Sequence, residues 1–423
     1  MIANAQPGPE GSPKPKLVRI IGRLNVGGPA RQACLLHEQL ADCFQTRLIA
    51  GSLGAGEHDM SYLLSSERDV VRLPEMSREV SFGSDARAFW KIFRFLRRER
   101  PDIVHTHTAK AGALGRLAAW LAGVPIIIHT YHGHVFQGYF SPAKSRVYLA
   151  VERALGRLTT RVIAISKSQS QELGTCYRVV PREKLAVVQN GFELEGCASM
   201  RREDARRVLG LVPGDFVVTW AGRMAPIKDV KLLAEVIRRA ERPGGRIVFL
   251  IVGDGTQRFE FESLVRDCGN VRFLGWRQDM ELIWAASDAA LLTSLNEGTP
   301  TALIEAMAAC IPFVSTNVGA VRDLAAEPLR ELSGVGHAAA NGFLTRRAPE
   351  AIVACLETLA GDPEMARRMG AAAQGFALER FCAHRLVQEM RLLYQKLMDQ
   401  ESEFSATAVQ PSENSASQAG GAI

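Results

Sequence analysis

The sequence predicts an α/β fold of two Rossmann-like domains, and three observations support this prediction. Short runs rich in β-branched residues alternate with segments of helical periodicity, a pattern typical of parallel sheets. The alternation ends near residue 190 and restarts with a hydrophobic strand at Phe216. The 423 residues are also about two to three times the length of an ordinary domain. We therefore expect domains at residues 17–195 and 196–376.

Composition narrows the classes of function. Hydrophobic residues make up 47% of the chain and charged residues 23%, as in globular enzymes. Lys and Arg exceed Asp and Glu by 51 to 45, a small excess for this length. Because a nucleic-acid binder usually carries a denser basic stripe with interleaved aromatics, we predict no nucleic-acid partner. The charge is compatible with an anionic ligand or an anionic membrane surface.

Cysteine usage and the chain ends predict a cytoplasmic protein. None of the eight cysteines forms a Cys-x-x-Cys pair, and several lie in apolar helical runs, so we expect reduced thiols. Residues 1–16 contain four prolines and no apolar segment, which predicts a disordered tail without a signal peptide or membrane span. The Ser, Ala, Gly and Gln composition of residues 401–423 predicts a second disordered tail.

The first domain opens with a strand at residues 17–21 and a glycine-rich turn at residues 22–29, followed by a helix from Ala30. Gly27 and Gly28 lie at the end of this turn. Glycines let the backbone approach a ligand, and a helix N-terminus favours an anion. The same spacing also suits a tight turn that binds nothing.

Further strands at residues 48–50, 102–105, 126–129 and 161–166 alternate with helices, one of which is strongly amphipathic. That segment, Phe89 to Arg98, places apolar side chains on one side and bases on the other. Its apolar stripe consists of Phe89, Ile92, Phe93 and Leu96, its bases are Lys91, Arg94, Arg97 and Arg98, and Trp90 and Phe95 lie beside the bases. It is either a crossover helix with a solvated basic face or a helix that docks on anionic lipid.

Histidines follow two of these strands, as His105 and His107 and as His129, His132 and His134. Alternate residues of a strand share a face, so paired histidines can bind a metal. Carboxylate ligands are not evident near either group, and no Asp-x-Asp occurs in the chain. We therefore favour a single histidine at a strand end that acts as a base, a donor or a carbonyl polariser. A metal-dependent hydrolase built on the histidines is an alternative.

In the second domain each predicted strand ends in a small or polar residue, as a ligand cleft at the carboxyl edge requires. Arg223 and Lys228 follow the first strand and supply two cations. A diphosphate needs such cations where no metal neutralises it, although an ordinary surface loop could carry them too.

The stretch at residues 294–308 reads as a strand end, a loop and a helix. Its carboxylates Glu297 and Glu305 are eight residues apart and close enough to address one ligand. Taken alone, the pair suggests acid/base chemistry. A last helix is expected at residues 377–400, with a buried apolar face.

Several motifs, in this order, resemble those of the retaining family-4 glycosyltransferases of the GT-B fold. They are the Gly27-Gly28 pair, HTYHGH at residues 129–134, VVQNGFE at 187–193, AGRMAPIK at 221–228, VGDG at 252–255, FLGW at 273–276 and NEGTPTALIEAMA at 296–308. The resemblance spans residues 17–397. It implies two Rossmann-like domains facing across a cleft, with a C-terminal crossover helix at residues 377–400.

The resemblance also implies roles for individual residues. The donor diphosphate is expected at Arg223 and Lys228, the ribose hydroxyls at Glu305, and the transferred sugar at Glu297 and His132. The remaining expected donor contacts are the following: Gly27 and Gly28 from the facing domain, Gly253 and Asp254 of the VGDG motif, Phe273 and Leu274 beside the nucleobase, and Gly298 and Thr299 beside the sugar. The catalytic residues implied are His132, Glu297, Arg223 and Lys228.

The implied activity is transfer of a sugar with retention, from a UDP-sugar to a lipid-linked or surface-glycan acceptor, without metal or cofactor. Because of its bases, the Phe89 to Arg98 segment is also expected to contact the membrane surface.

Three positions depart from the family pattern. Ala30 is followed by Arg31 where an acidic residue is common, and Asp229 and Cys310 replace glycines. A GT-B-like epimerase or phosphorylase is an alternative enzyme, and a scaffold that has kept the fold is the non-enzymatic one.

Overall fold

The computed structural model describes residues 13–54, 57–77, 79–133, 142–196, 200–242 and 245–409. Within these ranges the chain forms two parallel-rich sheets, each with helices packed against it, and the predicted fold class is confirmed. Because the expected roles depend on strand ends, the topology of each sheet decides which residues can meet.

The first sheet has seven parallel strands in the described residues, in the order β3-β2-β1-β4-β5-β6-β7. Its strands are β1 (Lys16–Ile21), β2 (Gln45–Gly51), β3 (Val70–Leu73), β4 (Ile103–His107), β5 (Ile126–Tyr131), β6 (Arg161–Ala164) and β7 (Leu185–Val187). Its helices are α1 (Gly28–Gln39), α2 (Phe82–Glu99), α3 (Ala109–Ala122), α4 (Pro142–Arg157) and α5 (Lys167–Gln171). Strand order reverses at β1, which pairs with both β2 and β4. Right-handed crossovers then place α1 on one face and α2, α3 and α4 on the other.

The second sheet has eight strands in the described residues, in the order β10-β9-β8-β11-β12-β15-β14-β13. Its strands are β8 (Phe216–Ala221), β9 (Ile247–Val252), β10 (Val271–Gly275), β11 (Ala289–Leu292), β12 (Phe313–Thr316), β13 (Arg330–Leu332), β14 (Gly336–Ala339) and β15 (Gly342–Thr345). Its helices are α6 (Arg202–Val208), α7 (Val230–Ala240), α8 (Arg258–Leu264), α9 (Met280–Ala286), α10 (Thr301–Ala308), α11 (Pro349–Gly361) and α12 (Pro363–Phe381). The antiparallel edge formed by β13 and β14 was not predicted, since strands of three or four residues leave little periodicity.

The C-terminal helix differs from its predicted bounds of 377–400. Residues 377–381 end α12, and a separate helix, α13, spans Ala383–Val409. The break lies at Cys382, whose backbone is extended because the flanking residues bond to Phe192: the Phe192 amide donates to Phe381, and the Ala383 amide donates to Phe192. Residues 401–409 are therefore helical where a tail was expected.

The helix α13 returns to the first domain, although it follows the second in sequence. Its buried residues Leu386, Met390, Tyr394 and Leu397 join a core cluster with β1, β4 and β5. Burial of several such side chains at about 1.5–3 kcal/mol each fixes α13 to the first sheet.

The amphipathic helix α2 packs against its sheet and α3 less completely than predicted. Ile92 and Leu96 are buried, but Phe89 and Phe93 are only partly buried and Trp90 is 59% exposed. None of the described helices has the length and apolar composition needed to cross a bilayer.

Candidate active site

The carboxyl ends of the strands of both sheets meet at the junction between the domains. The backbones come close there, because a Cβ added at Gly298 would lie 2.8 Å from the carbonyl oxygen of His132. Ser168 of the first domain donates to Asp323 of the second at 2.8 Å. At this junction the structure brings together residues that are far apart in sequence.

The loop after β11 holds Glu297 against the loop after β8. The Lys228 Nζ donates to Glu297 Oε1 at 2.5 Å, and the Ser294 hydroxyl donates to the same oxygen. Both charged side chains are less than one-fifth exposed, so water screens this ion pair weakly. The predicted cation and the predicted carboxylate therefore form one unit.

Arg223 is exposed and has no hydrogen bond or ion pair with any described residue. Its neighbour in the loop, Asp229, is engaged elsewhere: it caps α7 through the Leu232 amide and pairs with Arg347 at 2.7 Å. Asp229, which replaces a glycine of the family pattern, therefore has its negative charge balanced by Arg347.

Glycines allow the ends of β8 and β9 to approach each other closely. A Cβ at Gly253, where φ is +128°, would lie 2.0 Å from the Gly222 carbonyl oxygen. The Gly253 amide donates to the Gly275 carbonyl at 2.7 Å, which ties β10 into the same edge. Next to it Asp254 is exposed, and the Gly255 amide lowers the pKa of its carboxyl group. Backbone amides and a carboxylate therefore line this part of the edge.

Glu305 lies in the second turn of α10 and is buried, with 8% of its surface exposed. It forms an ion pair with Arg31 of α1, from the opposite domain. Nearby, a Cβ at Gly28 would lie 3.2 Å from the Thr301 hydroxyl oxygen, so the N-termini of α1 and α10 face each other. Arg31 was noted in the sequence only as a departure from the family pattern. Its ion pair depends on the approach of two helices that no local pattern encodes.

His132 directly follows β5 and lies beside His107 of β4. The His107 Nδ1 and His132 Nε2 atoms are 3.0 Å apart. Burial lowers the pKa of His132 to about 3, so this imidazole is neutral near neutral pH. His134 lies outside the described residues, and within them no group of three or more His, Cys, Asp or Glu side chains could hold a metal ion.

The FLGW segment contributes differently from residue to residue. Phe273 packs edge-on against Phe261, and Leu274 packs against the domain core. Trp276 instead stacks on His58 of the first domain, with ring centroids 4.5 Å apart. No sequence pattern predicted this contact, because His58 lies in a loop without a motif.

Each of the two domains matches a known protein family. Residues 27–191 match the family described as a glycosyl transferase 4-like domain, and residues 215–362 match the glycosyl transferases group 1. The chain belongs to the group 1 glycosyltransferases.

Relatives of this glycosyltransferase support that assignment. The UDP-Gal:alpha-D-GlcNAc-diphosphoundecaprenol alpha-1,3-galactosyltransferase of Escherichia coli is 34% identical, over 59% of this chain and 67% of the relative. The capsular polysaccharide biosynthesis glycosyltransferase CapM of Staphylococcus aureus is 23% identical, over 82% of this chain and 90% of the relative.

A solved structure agrees with the fold of this glycosyltransferase. The crystal structure of Anabaena Alr3699/HepE in complex with UDP aligns with a TM-score of 0.72 at 22% identity, over 90% of this chain and 100% of that one. The predicted GT-B fold and the predicted enzyme class are confirmed. The roles expected of individual residues remain predictions.

Proposed function

We propose that this glycosyltransferase moves a sugar from a UDP-sugar to a lipid-linked or polysaccharide acceptor, with retention of the anomeric configuration and without a metal ion. The observation that carries the proposal is the pair of cations after β8. Lys228 is held at the domain junction by Glu297, while the guanidinium of Arg223 has no partner among the described residues.

The two cations suit the charge that develops when a nucleoside diphosphate leaves. Cations fixed in advance stabilise such charge without reorganising at the moment of reaction. The Arg223 guanidinium offers a planar fork to the phosphate oxygens, and the Lys228 ammonium offers a point charge. In this proposal Lys228 shares its protons between Glu297 and the diphosphate.

The bond changes are simple. The bond between the anomeric carbon and the diphosphate oxygen breaks, and the acceptor oxygen bonds to the anomeric carbon on the same face. The proton of the acceptor hydroxyl passes to the departing phosphate oxygen. The two carboxylates then serve in binding, Glu297 towards the sugar and Glu305 towards the ribose, unlike the paired carboxylates of glycosidases.

The choice of substrates draws on the relatives. The name of the Escherichia coli relative specifies UDP-Gal as donor and a diphosphoundecaprenol-linked sugar as acceptor, and CapM is named for capsular polysaccharide biosynthesis. We extend the UDP-linked donor and the class of acceptor, but no particular sugar, to this chain.

An acceptor with a lipid anchor is reached at a membrane surface, and α2 and α3 together form a suitable face. Trp90 of α2 and Trp120 and Leu121 of α3 are each about half exposed, at 59%, 53% and 49%. Phe89, Trp90 and Phe93 form one aromatic cluster, and the exposed bases Arg94, Arg97 and Arg98 extend along the same helix. Aromatic anchors beside bases favour an anionic interface.

Calorimetric titration with a panel of UDP-, GDP- and ADP-sugars, with and without EDTA, tests the donor. We expect UDP-sugars to bind equally well in both conditions. Failure of all nucleotides and nucleotide sugars to bind would refute the function, and binding that requires a divalent ion would refute the role given to Arg223 and Lys228.

Flotation with vesicles tests the membrane surface. We expect binding to vesicles containing anionic lipid, weaker binding to zwitterionic vesicles, and loss of binding when Arg94, Arg97 and Arg98 are changed to Glu. The matched control changes Arg238, Arg239 and Arg242, which lie in or just after α7 of the other domain, to Glu. Equal loss in both triple variants, or no binding by the unmodified protein, would exclude this face.

A further inference from the structure

A cavity of about 580 Å³ lies at the edge of the first domain, between the end of α4 and the segment that leads into β7. Its volume falls in the range of about 300–1,000 Å³ that is typical of small-molecule sites. Four bases line this cavity, namely Arg153 and Arg157 of α4, Arg178, and Lys184. No Asp or Glu is among the described residues that line it. We call this cavity the basic pocket.

The close packing of α4 on the segment after α5 brings these bases together. A Cβ added at Gly156 would lie 2.6 Å from the carbonyl oxygen of Val179, so this approach requires a glycine. Arg153 adds to the contact, because its Nε and Nη2 donate to the Tyr177 carbonyl oxygen at 3.0 and 2.7 Å. The backbone on both sides of the basic pocket is thus held in place.

The four bases differ in the hydrogen bonds that they already make. Lys184 Nζ donates to carbonyl oxygens at and just after the end of α4, including that of Thr159 at 2.8 Å, so it contributes a fixed charge. Arg153 is also fixed, by its bonds to the backbone. Arg157 and Arg178 are exposed and form no hydrogen bond or ion pair with any described residue. Two guanidinium groups are therefore available to a ligand, beside two cations that are held in position.

The charge around the basic pocket is unbalanced. Residues 153–184 contain seven Lys and Arg against two Glu, whereas the whole chain contains 51 Lys and Arg against 45 Asp and Glu. This one stretch therefore accounts for most of the net positive charge of the protein. The carbonyl groups at the end of α4 supply about half a negative charge, which offsets only part of four cations. An anionic ligand would balance the rest.

The geometry of the bases favours a phosphate group over a carboxylate. A guanidinium group binds either anion through paired N–H donors. A phosphate monoester, however, carries about 1.5 to 2 negative charges and three acceptor oxygens at pH 7, whereas a carboxylate carries one charge and two oxygens. A terminal phosphate can thus bind Arg157 and Arg178 together and still use the fixed charges beside them.

The basic pocket lies away from the donor site. Arg157 precedes β6 and Lys184 precedes β7, so the pocket is at the amino edge of the parallel sheet, whereas the carboxyl ends meet at the domain junction. The helices α2, α3 and α4 lie on one face of this sheet, and all three end at the same amino edge. The basic pocket is therefore at the same end of the domain as Arg98 and Trp120 of the proposed membrane face.

We propose that the basic pocket is a second anion site of this glycosyltransferase, separate from the donor site, and that it binds a terminal phosphate group through Arg157 and Arg178. A lipid headgroup and a soluble phosphorylated compound share this chemistry, and the position beside the membrane face favours the headgroup. The inference stands whichever sugar nucleotide the enzyme uses.

Calorimetric titration with inorganic pyrophosphate tests the basic pocket without a lipid. The protein carries Arg223→Ala and Lys228→Ala, which remove the two cations expected at the donor diphosphate. We expect saturable binding in this background. Adding Arg157→Gln and Arg178→Gln should weaken that binding at least about tenfold, because two charge-assisted contacts are lost.

A matched control replaces two exposed arginines of the second domain, as Arg239→Gln with Arg266→Gln. Like the pair in the basic pocket, they form no hydrogen bond or ion pair with any described residue. This control should leave the affinity for pyrophosphate unchanged. Because all four arginines are exposed, neither pair of substitutions should lower the melting temperature.

Flotation identifies the source of the phosphate. Phosphatidylcholine vesicles are compared with vesicles that also contain phosphatidic acid, whose headgroup is a phosphate monoester. If the ligand is a lipid, Arg157→Gln with Arg178→Gln should lower partitioning onto phosphatidic acid vesicles about tenfold, with the bases of α2 intact. Unchanged flotation together with lost pyrophosphate binding would assign the pocket to a soluble phosphorylated compound.

The proposal would be overturned if the pocket pair and the control pair behaved alike in both the titration and the flotation. The proposed function is tested separately, since the affinity of the Arg157→Gln, Arg178→Gln variant for a UDP-sugar should stay within about twofold of that of the unmodified protein. Failure of every UDP-sugar to bind would refute the proposed function and leave the pyrophosphate result intact.

Discussion

The two domains share an architecture but place their ionisable groups differently. In the first sheet, ionisable side chains lie inside the strands: Arg19, His105, His107 and His129 are all at most 1% exposed. In the second domain, the charged groups expected to contact the donor lie beyond the strand ends, in loops and in α10, and the central strands carry buried apolar residues such as Trp220, Phe249 and Leu291.

This difference separates folding from ligand binding. A buried polar network in a low dielectric is stabilising only when its members are satisfied, so a change in the first domain should disturb structure as well as activity. Loop charges anchored on an apolar core can change without loss of the fold. Four predictions examine this contrast, starting with the largest expected effect.

Removing a partner from the buried ion pair of the first domain should be the most damaging change. Arg116, with no exposed surface, donates to Glu152 at 2.6 Å, and the Tyr131 hydroxyl donates to the same carboxylate. Glu152→Ala leaves a buried guanidinium unpaired and should lower the free energy of unfolding by about 3–5 kcal/mol, measured by urea denaturation. Glu357→Ala, at an exposed ion pair of the second domain, is the control. Similar midpoints for both variants would contradict the contrast.

Removing Lys228 should abolish most activity without unfolding the second domain. Loss of one preorganised donor to a developing anion lowers kcat by about 100- to 1,000-fold. Lys228→Ala should show this loss in a transfer assay, with a melting temperature close to that of the unmodified protein. Lys231→Ala removes an exposed cation paired with Glu260 and should retain activity. A large drop in melting temperature for Lys228→Ala would mean that its ion pair with Glu297 supports the fold.

Acid should open the first domain before the second. Burial lowers the pKa of His37 to about 4 and that of His132 to about 3. Below pH 6.5, which is about the histidine pKa of the unfolded chain, these histidines bind protons when the chain is unfolded but not when it is folded. The stability that is present above pH 6.5 is therefore lost as the pH falls towards the folded-state pKa values. At pH 5.5 these two histidines alone should cost about 2–3 kcal/mol.

Amide hydrogen exchange measured at pH 7.5 and pH 5.5 locates this loss of stability. We expect the protection factors, which correct for the slower intrinsic exchange at pH 5.5, to fall in β4 and β5 before those in β8 and β11. The described part of the second domain, residues 200–381 with a gap at 243–244, contains one histidine, His337. Its stability should therefore depend less on pH in this range. Simultaneous opening of both sheets would show that the domains unfold as one unit.

The smallest expected effect concerns the ion pair between the domains. The Arg31 side chain is 35% exposed where it contacts Glu305, so solvent weakens the interaction. A double-mutant cycle should give a coupling energy of about 0.5 kcal/mol for the pair. Glu305→Ala should raise KM for the sugar nucleotide about tenfold with little change in kcat, whereas Arg31→Ala should change KM by less than about threefold. A tenfold effect of Arg31→Ala would show that Arg31 contacts the donor itself.

Much of the fold followed from local patterns. Strands such as β9, with Ile247 to Val252, and helices such as α7 combine strong periodicity with clear ends, so their type could be predicted. The edge strands β13 and β14 could not, because their short strands are defined by their partners. The break at Cys382 was missed for the same reason, since it depends on hydrogen bonds to Phe192, about 190 residues earlier in the chain.

The sequence by itself determined the family, the two α/β domains and the residues that end each strand of the second sheet, because these depend on periodicity and on motifs within a few residues. Only the tertiary structure decided which of those residues meet. The ion pairs of Lys228 with Glu297 and of Arg31 with Glu305, and the contact of His107 with His132, join separate loops, helices and strands. Their geometry is set by the approach of whole elements, which burial of apolar faces drives and which no short stretch of sequence encodes.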